Sequence, residues 1–260
     1  MRGWEPLNKL LKQVIIFIQG FLSVNLIWLI AYLLTNTSVI PNPLRVYQSF
    51  PIVLKDHMLI HILYSLRRIG MGLALSLIIG IPIGILLAYS KKANRILYPL
   101  IYFSYPIPKT ALLPIAMLLL GMRDGSKVVI MLLVLMFQVI ISVRDSIQTI
   151  DKSMYQVIKS IGANKLTIIR HVTLPAILPN LFTSLRVSLG AALSILFFVE
   201  GYGTTYGIGY YIQDAWARIN YIEMYIGIIT IAIVGFLLFV GVDYLAYRIC
   251  KWNYLTDHNG

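Results

Sequence analysis

The run from His61 to Tyr89, HILYSLRRIGMGLALSLIIGIPIGILLAY, constrains the chain more than any other stretch. About 20 consecutive apolar residues carry a helix across a bilayer's hydrocarbon. This run exceeds that length, and its charges, Arg67 and Arg68, sit near its start. Comparable runs lie at 14–35, 128–146, 181–200 and 224–247, with a proline-broken one at 96–120. Composition agrees: 58% of residues are hydrophobic and 12% charged, where soluble domains carry about 25% charge. The expectation is an all-α integral membrane protein of about six transmembrane helices.

The net charge of +12 does not point to nucleic acid. A nucleic-acid protein gathers lysine and arginine on one folded face, whereas here they occupy short loops between apolar runs. Six helices place both termini on one side. Arg2, Lys9, Lys12, the basic loop Lys91, Lys92 and Arg95, the segment 150–175, Arg248 and Lys251 outweigh Arg45, Lys55, Arg123, Lys127 and Arg218 opposite. The positive-inside rule then makes both termini and segment 150–175 cytoplasmic. Trp252 and Tyr254 fit an aromatic belt at that interface. The run 14–35 is too long for a signal-peptide core and reads as a retained helix. The single cysteine, Cys250, excludes an intramolecular disulfide.

Between the first two runs, NTSVIPNPLRVYQSFPIVLKDHM carries three prolines and reads as an extended connection outside the membrane. It also holds a glycosylation sequon at Asn36-Thr37-Ser38. In the second run Gly72, Ser76, Gly80 and Gly84 recur every fourth residue. In lipid such small residues let helix backbones approach closely, so the stripe reads as a packing seam, with a local distortion expected at Pro82. Pro99, Pro106, Pro108 and Pro114 cannot share one regular helix. Irregular backbone at membrane depth is tolerated only against protein or a water-filled cavity, so this segment should face the interior or a pathway. A polar turn is expected at 121–127.

The charged segment SIGANKLTIIRHVTLP interrupts the apolar pattern. Met154, Val157, Ile158 and Ile161 form an apolar stripe on a short helix. Gly162 breaks that helix, Asn164 can cap a second one, and Pro175 is expected to end it before the fifth long helix. Periodicity leaves three readings open: helices lying on the bilayer, docking of a soluble partner, or a lipid headgroup site.

This segment resembles the EAA loop of ABC-transporter permeases of the binding-protein-dependent class. That pattern runs Glu-Ala-Ala, three residues, glycine, nine residues, then Ile-x-Leu-Pro. Here Gly162 is followed by nine residues and Val172-Thr173-Leu174-Pro175, while Gln156-Val157-Ile158 replace Glu-Ala-Ala. The run 61–90 also resembles the first core helix of these permeases, and the broken segment and VEGYGTTYGIGYYI resemble the nitrate, sulfonate, taurine and thiamine-precursor branch, so that the resemblance covers about 40–250.

The resemblance implies a type I ABC importer permease in a bacterial cytoplasmic membrane, with an N-terminal transmembrane helix and extracytoplasmic connection over 1–60, a five-helix core over 61–250 that holds the coupling loop at about 150–175, and a cytoplasmic tail at 251–260. It implies a second permease copy, two cytoplasmic ATPase subunits that hold ATP and Mg, and an extracytoplasmic substrate-binding protein. Gln156, Gly162, Ala163, Asn164, Lys165, Leu174 and Pro175 would form the ATPase-coupling loop. The solute would be a small anion (nitrate, sulfonate, taurine, bicarbonate) or a thiamine or pyrimidine precursor. The chain carries no Gly-x-x-x-x-Gly-Lys-Ser/Thr loop, so ATP hydrolysis, and any cofactor, is expected elsewhere.

Ionisable residues within spans are costly and point to function by default. Lys109 and Arg186 could attract an anion, although an inter-helix salt bridge or snorkelling competes with that reading. Gln138 and Glu200 are the other pathway candidates, and Arg67 and Arg68 are expected near the outer interface. The pairs Gly201-x-Gly203 and Gly207-x-Gly209 read as a re-entrant or gate region rather than a dinucleotide loop. Neither a metal site nor a catalytic constellation is visible in the sequence. A stand-alone channel or secondary transporter would show inverted repeats, and a membrane enzyme would need convergent polar groups.

Overall fold

The computed structural model describes residues 5–35 and 37–252, without the side chains of 5–13, 16, 17, 56 and 57. Arg2, Asn36 of the sequon, Tyr254 and His258 lie outside the described residues. Among the described residues every regular element is helical. The chain divides into two compact units: residues up to Leu59 with Ile212–Ile229, and Ile60–Tyr211 with the chain from Thr230 onward.

The first unit opens with α1, Glu5–Thr35. The connection after it is not extended. It forms α2, Pro43–Val53, followed by a π-helical turn at Leu54–Met58. Two features override the proline count. Asn42 caps the helix by accepting from the Leu44 N–H, and Pro43 stands in the first turn, where a missing N–H costs nothing. The Tyr47 hydroxyl donates to Asn25 Oδ1 at 2.6 Å, and Trp28 stacks on Tyr225 with ring centroids 4.8 Å apart.

The second unit holds the main core. Its α3, Leu59–Tyr89, runs unbroken through Pro82, which is exposed and points away from the packed face. The seam is real: Gly72, Ser76, Gly80 and Gly84 are all buried. They face α6, Asp124–Gln148. A Cβ added at Gly84 would stand 2.7 Å from Val143 Cβ and 2.9 Å from the Ile140 carbonyl oxygen. The long helix after the charged segment, α9 (Leu174–Glu200), packs against α6 through Met131, Leu135, Leu189 and Leu196.

Between α3 and α6 the chain is broken as its prolines require. Residues 91–95 are not a loop but the start of α4, Lys91–Ser104, because Ser90 Oγ accepts the Ala93 N–H. A turn and a short 3₁₀ stretch, Lys109–Leu112, lead to α5, Leu113–Leu120, with the two halves bent by 85°. The polar turn is shorter than expected, since α6 already begins at Asp124.

The charged segment is a hairpin of α7 (Lys152–Ser160) and α8 (Lys165–Ile168). Pro175 does not end a helix. A π-helical turn at Ile169–Thr173 carries α8 into α9, with the Leu174 N–H bonded to the Ile169 carbonyl. The looser register precedes the proline, which then occupies the first turn of α9. Then come α10 (Ile208–Ala217) and α11 (Tyr221–Ile249). Among the described residues five helices are long and apolar enough to cross a membrane, and the bent pair makes a sixth if it counts as one crossing.

Candidate functional site

Three places in the second unit concentrate polar chemistry. The first is a buried knot where α3, α6 and α9 meet the glycine-rich turn after Glu200. Arg68 is 2% exposed and Glu200 fully buried. Arg68 Nη1 lies 2.6 Å from Glu200 Oε1 and Nε lies 2.7 Å from Asp124 Oδ1. The same guanidinium donates to the Tyr206 carbonyl and to Thr204 Oγ1. Glu200 also accepts from Ser65 Oγ and the Gly209 N–H, at 2.9 and 2.8 Å. Ser65 in turn accepts the Ile208 N–H, and His61 Nδ1 accepts that of Gly207. Lys127, fully buried, donates to the carbonyls of Met122 and Gly203. Arg67 pairs with Asp124 from the exposed side.

The geometry explains the glycines. Gly207 adopts φ +134°, and a Cβ there would collide with the Glu200 carboxylate. Asp124 stands in the first turn of α6, where a negative charge suits the helix dipole. An isolated ion in this setting would cost several kcal/mol, roughly, and it survives by being paired and hydrogen-bonded. Arg68 is enclosed by protein, and its guanidinium closes the knot. His61, Ser65 and Arg68 continue the face of Gly72, Ser76, Gly80 and Gly84 at three- and four-residue steps. That periodicity was available in the sequence and places them inside. A helix, α10, follows Gly207, yet a helix rather than a strand precedes it.

The second place is the α7–α8 hairpin. It lies at the opposite end of α3, α6 and α9, because Tyr89 at the end of α3 bonds Thr173 and packs edge-on against Tyr155. From Ser65 to Tyr89 an α-helix rises roughly 36 Å. Gly162 takes φ +79°, with open space around it. Asn164 caps α8 by accepting the Thr167 N–H at 2.8 Å. Asp151 caps α7 through the Ser153 N–H, which holds its carboxyl below its ordinary range. Gln156, Asn164 and Lys165 are exposed, while Ala163, Leu174 and Pro175 are half-buried. Val157, Ile161 and Leu166 are 63%, 77% and 74% exposed. Met154, Val157, His171, Val172 and Trp252 line an adjoining groove of about 820 Å³.

The third place is a cavity of about 570 Å³ beside the break after α4, with Gln138 in its wall. Lys109 stands next to that break. Its Nζ donates to the carbonyls of Ser104 and Tyr105, satisfying groups that a helix end leaves open. Arg186 pairs with Asp243. The four pathway candidates are thus dispersed: Glu200 in the knot, Gln138 at the cavity, Lys109 on the broken backbone and Arg186 in an ion pair.

The family described as "Binding-protein-dependent transport system inner membrane component" matches residues 80–251. The taurine transport system permease protein TauC of Escherichia coli (strain K12) is 31% identical over 193 residues, covering 74% of this chain and 70% of that protein. The formylaminopyrimidine transport permease protein ThiX of Halalkalibacterium halodurans is 25% identical, covering 90% and 94%. Among solved structures, the inward-facing MetNI methionine ABC transporter matches in fold with a TM-score of 0.62 at 18% identity, over 74% of this chain and 95% of that one. With its bundle of apolar helices, the chain belongs to the binding-protein-dependent transport system inner membrane components and is a multi-pass permease subunit of an ABC importer.

Proposed function

We propose that this permease works as a homodimer, driven by two cytoplasmic ATPase subunits and supplied with solute by an extracytoplasmic binding protein. The α7–α8 hairpin is the part the ATPases grip. The observation that carries this reading is the hairpin's outward apolar stripe: Val157, Ile161 and Leu166 are left uncovered by the rest of the chain at the end of the bundle. A loop that meets no partner has little reason to leave such side chains uncovered, whereas an amphipathic helix entering a groove needs them.

Gly162 and Ala163 form the tip, Asn164 and Lys165 begin the return helix, and Leu174-Pro175 open α9. Closure of the ATPases would push the tip, and the continuous helical rod Lys165–Glu200 would carry the displacement across the membrane. Both termini then lie in the cytoplasm, as the basic residues favour. Gln156 retains a side chain able to donate and accept hydrogen bonds on the exposed face of α7. The solute class that relatives span includes taurine and formylaminopyrimidine.

Co-purification tests the assembly. The permease expressed with its ATPase should yield a stable complex whose ATP hydrolysis rises when loaded binding protein is added. Failure to form any complex, with no stimulation by binding protein, sinks the proposal.

A further inference from the structure

The outward face of α4 changes character along its length. Lys91, Lys92 and Arg95, near its start, are exposed. Ile96, Leu100 and Phe103 follow on the same side and are also exposed. Positions 92, 96, 100 and 103 recur at four- and three-residue steps, so they form one stripe. The other side of the helix, with Leu97 and Ile101, packs on Ile140 of α6.

The stripe has the length of one bilayer leaflet. Lys92 to Phe103 rises roughly 16 Å along an α-helix, and half of the hydrocarbon core is about 15 Å. Its ends lie at the matching depths. The cations begin two residues after Tyr89, which bonds Thr173 at the hairpin end of the bundle. Just past the other end, Lys109 lies 4.9 Å from the ring centroid of Phe137, midway along α6.

The three cations serve no contact within the chain. The α4 sequence holds no acidic residue, and none of the three forms an ion pair among the described residues. Arg144 nearby differs: it bonds Asp145 and lies on Tyr98, 4.1 Å from the ring centroid. Helix stability does not explain the cations either. They crowd the positive end of the helix dipole, where cations are unfavourable, and Ser90 already caps that end. Membrane topology asks only for basic residues near this end. It does not require them on the same face as a bare apolar stripe of leaflet length. A basic cluster running into apolar surface is complementary to one class of molecule, a lipid with a negative headgroup.

We propose that this face of α4 binds an anionic phospholipid, with its phosphate held by Lys92 and Arg95, Lys91 beside them, and an acyl chain along Ile96, Leu100 and Phe103. A soluble phosphate ester would need the cations alone, and the apolar stripe commits the site to a lipid. Such a site stands whether or not the importer reading above does.

The test titrates full-length permease, stripped of lipid in non-ionic detergent, with three probes. They are phosphatidylglycerol, phosphatidylcholine with the same acyl chains, and the chain-free headgroup glycerophosphoglycerol, and native mass spectrometry counts what is bound. Phosphatidylglycerol should bind about thirtyfold tighter than phosphatidylcholine, and glycerophosphoglycerol should not bind at the same concentrations. Lys92→Gln/Arg95→Gln should reduce phosphatidylglycerol to the level of phosphatidylcholine and leave the latter unchanged. Both side chains are exposed, so the variant should insert and purify like the parent. Arg45→Gln/Lys55→Gln, which removes the same charge elsewhere, should keep the preference. Equal binding of the two lipids overturns the site. So does a preference that survives Lys92→Gln/Arg95→Gln, or one that Arg45→Gln/Lys55→Gln abolishes equally. Headgroup binding as tight as that of the intact lipid overturns the lipid assignment in favour of a free phosphate ester. Ready disulfide dimerisation of Phe103→Cys in membranes, absent from the parent with its buried Cys250, would put a second copy on this face and overturn it too.

Discussion

The two ends of the main bundle solve opposite problems. At one end Arg68, Asp124, Glu200, Ser65 and Lys127 turn their polar groups inward and satisfy one another. At the other end the α7–α8 hairpin turns apolar side chains outward and leaves them uncovered. The knot fixes where α3, α6 and α9 stand. The hairpin is anchored by local caps and by the end of α3, and its apolar stripe is left uncovered by the rest of the chain. Under the proposed coupling role this asymmetry is what a machine worked from one side would need, because a push on the hairpin would move the bundle only if the helices are held together elsewhere.

The largest effect should come from breaking the knot. Arg68→Ala leaves Glu200 buried without its counter-ion, a loss of about 3–5 kcal/mol. Thermal unfolding of the purified permease should show it as a large drop in midpoint. The double variant Arg68→Ala/Glu200→Ala should recover part of the loss, and equal destabilisation in single and double variants would remove the pairing argument. Next comes the seam. Gly84→Val forces side-chain atoms into Val143 and the Ile140 carbonyl, and overpacking of this kind costs about 1–3 kcal/mol. The same assay reads it.

The hairpin variants sharpen the contrast, because they should separate stability from drive. Gly162→Val puts a β-branched residue at φ +79°, a strain of about 1–2 kcal/mol confined to an exposed turn. Insertion and thermal midpoint should change little, while stimulated ATP hydrolysis and uptake fall more than tenfold. Unchanged transport would detach the hairpin from coupling. Asn164→Ala removes the α8 cap, about 1 kcal/mol, and should weaken ATPase association measurably in a pull-down.

The smallest effect is pH dependence at α7. The Ser153 N–H depresses the folded-state pKa of Asp151. Its contribution is therefore present above the unfolded value, about 3.9, and lost as pH falls through the lower folded value. Between pH 5 and 8 hairpin order, followed by amide exchange, should not vary on this account. Asp151→Asn should abolish any loss of protection below pH 4.

Much of the fold was legible because lipid restricts the options. Long apolar runs must be helices, four prolines must break a segment, and small residues at every fourth position must pack. The hairpin was legible too, through Gly162 and Asn164. The stretch 36–58 misled because three prolines outweighed the Asn42-Pro43 helix start. The pairing of Arg68 was not legible, because its partners, Asp124 and Glu200, lie 56 and 132 positions away.

The sequence by itself determined that this chain is a helical membrane bundle with a polar hairpin, since hydrophobicity, proline and glycine act over a few neighbouring residues. Only the tertiary structure decided which charges are available. Lys109 bonds two backbone carbonyls, Arg186 an aspartate and Glu200 an arginine. A buried charge is settled by what lies within a few ångströms, and that neighbourhood is assembled from distant parts of the chain.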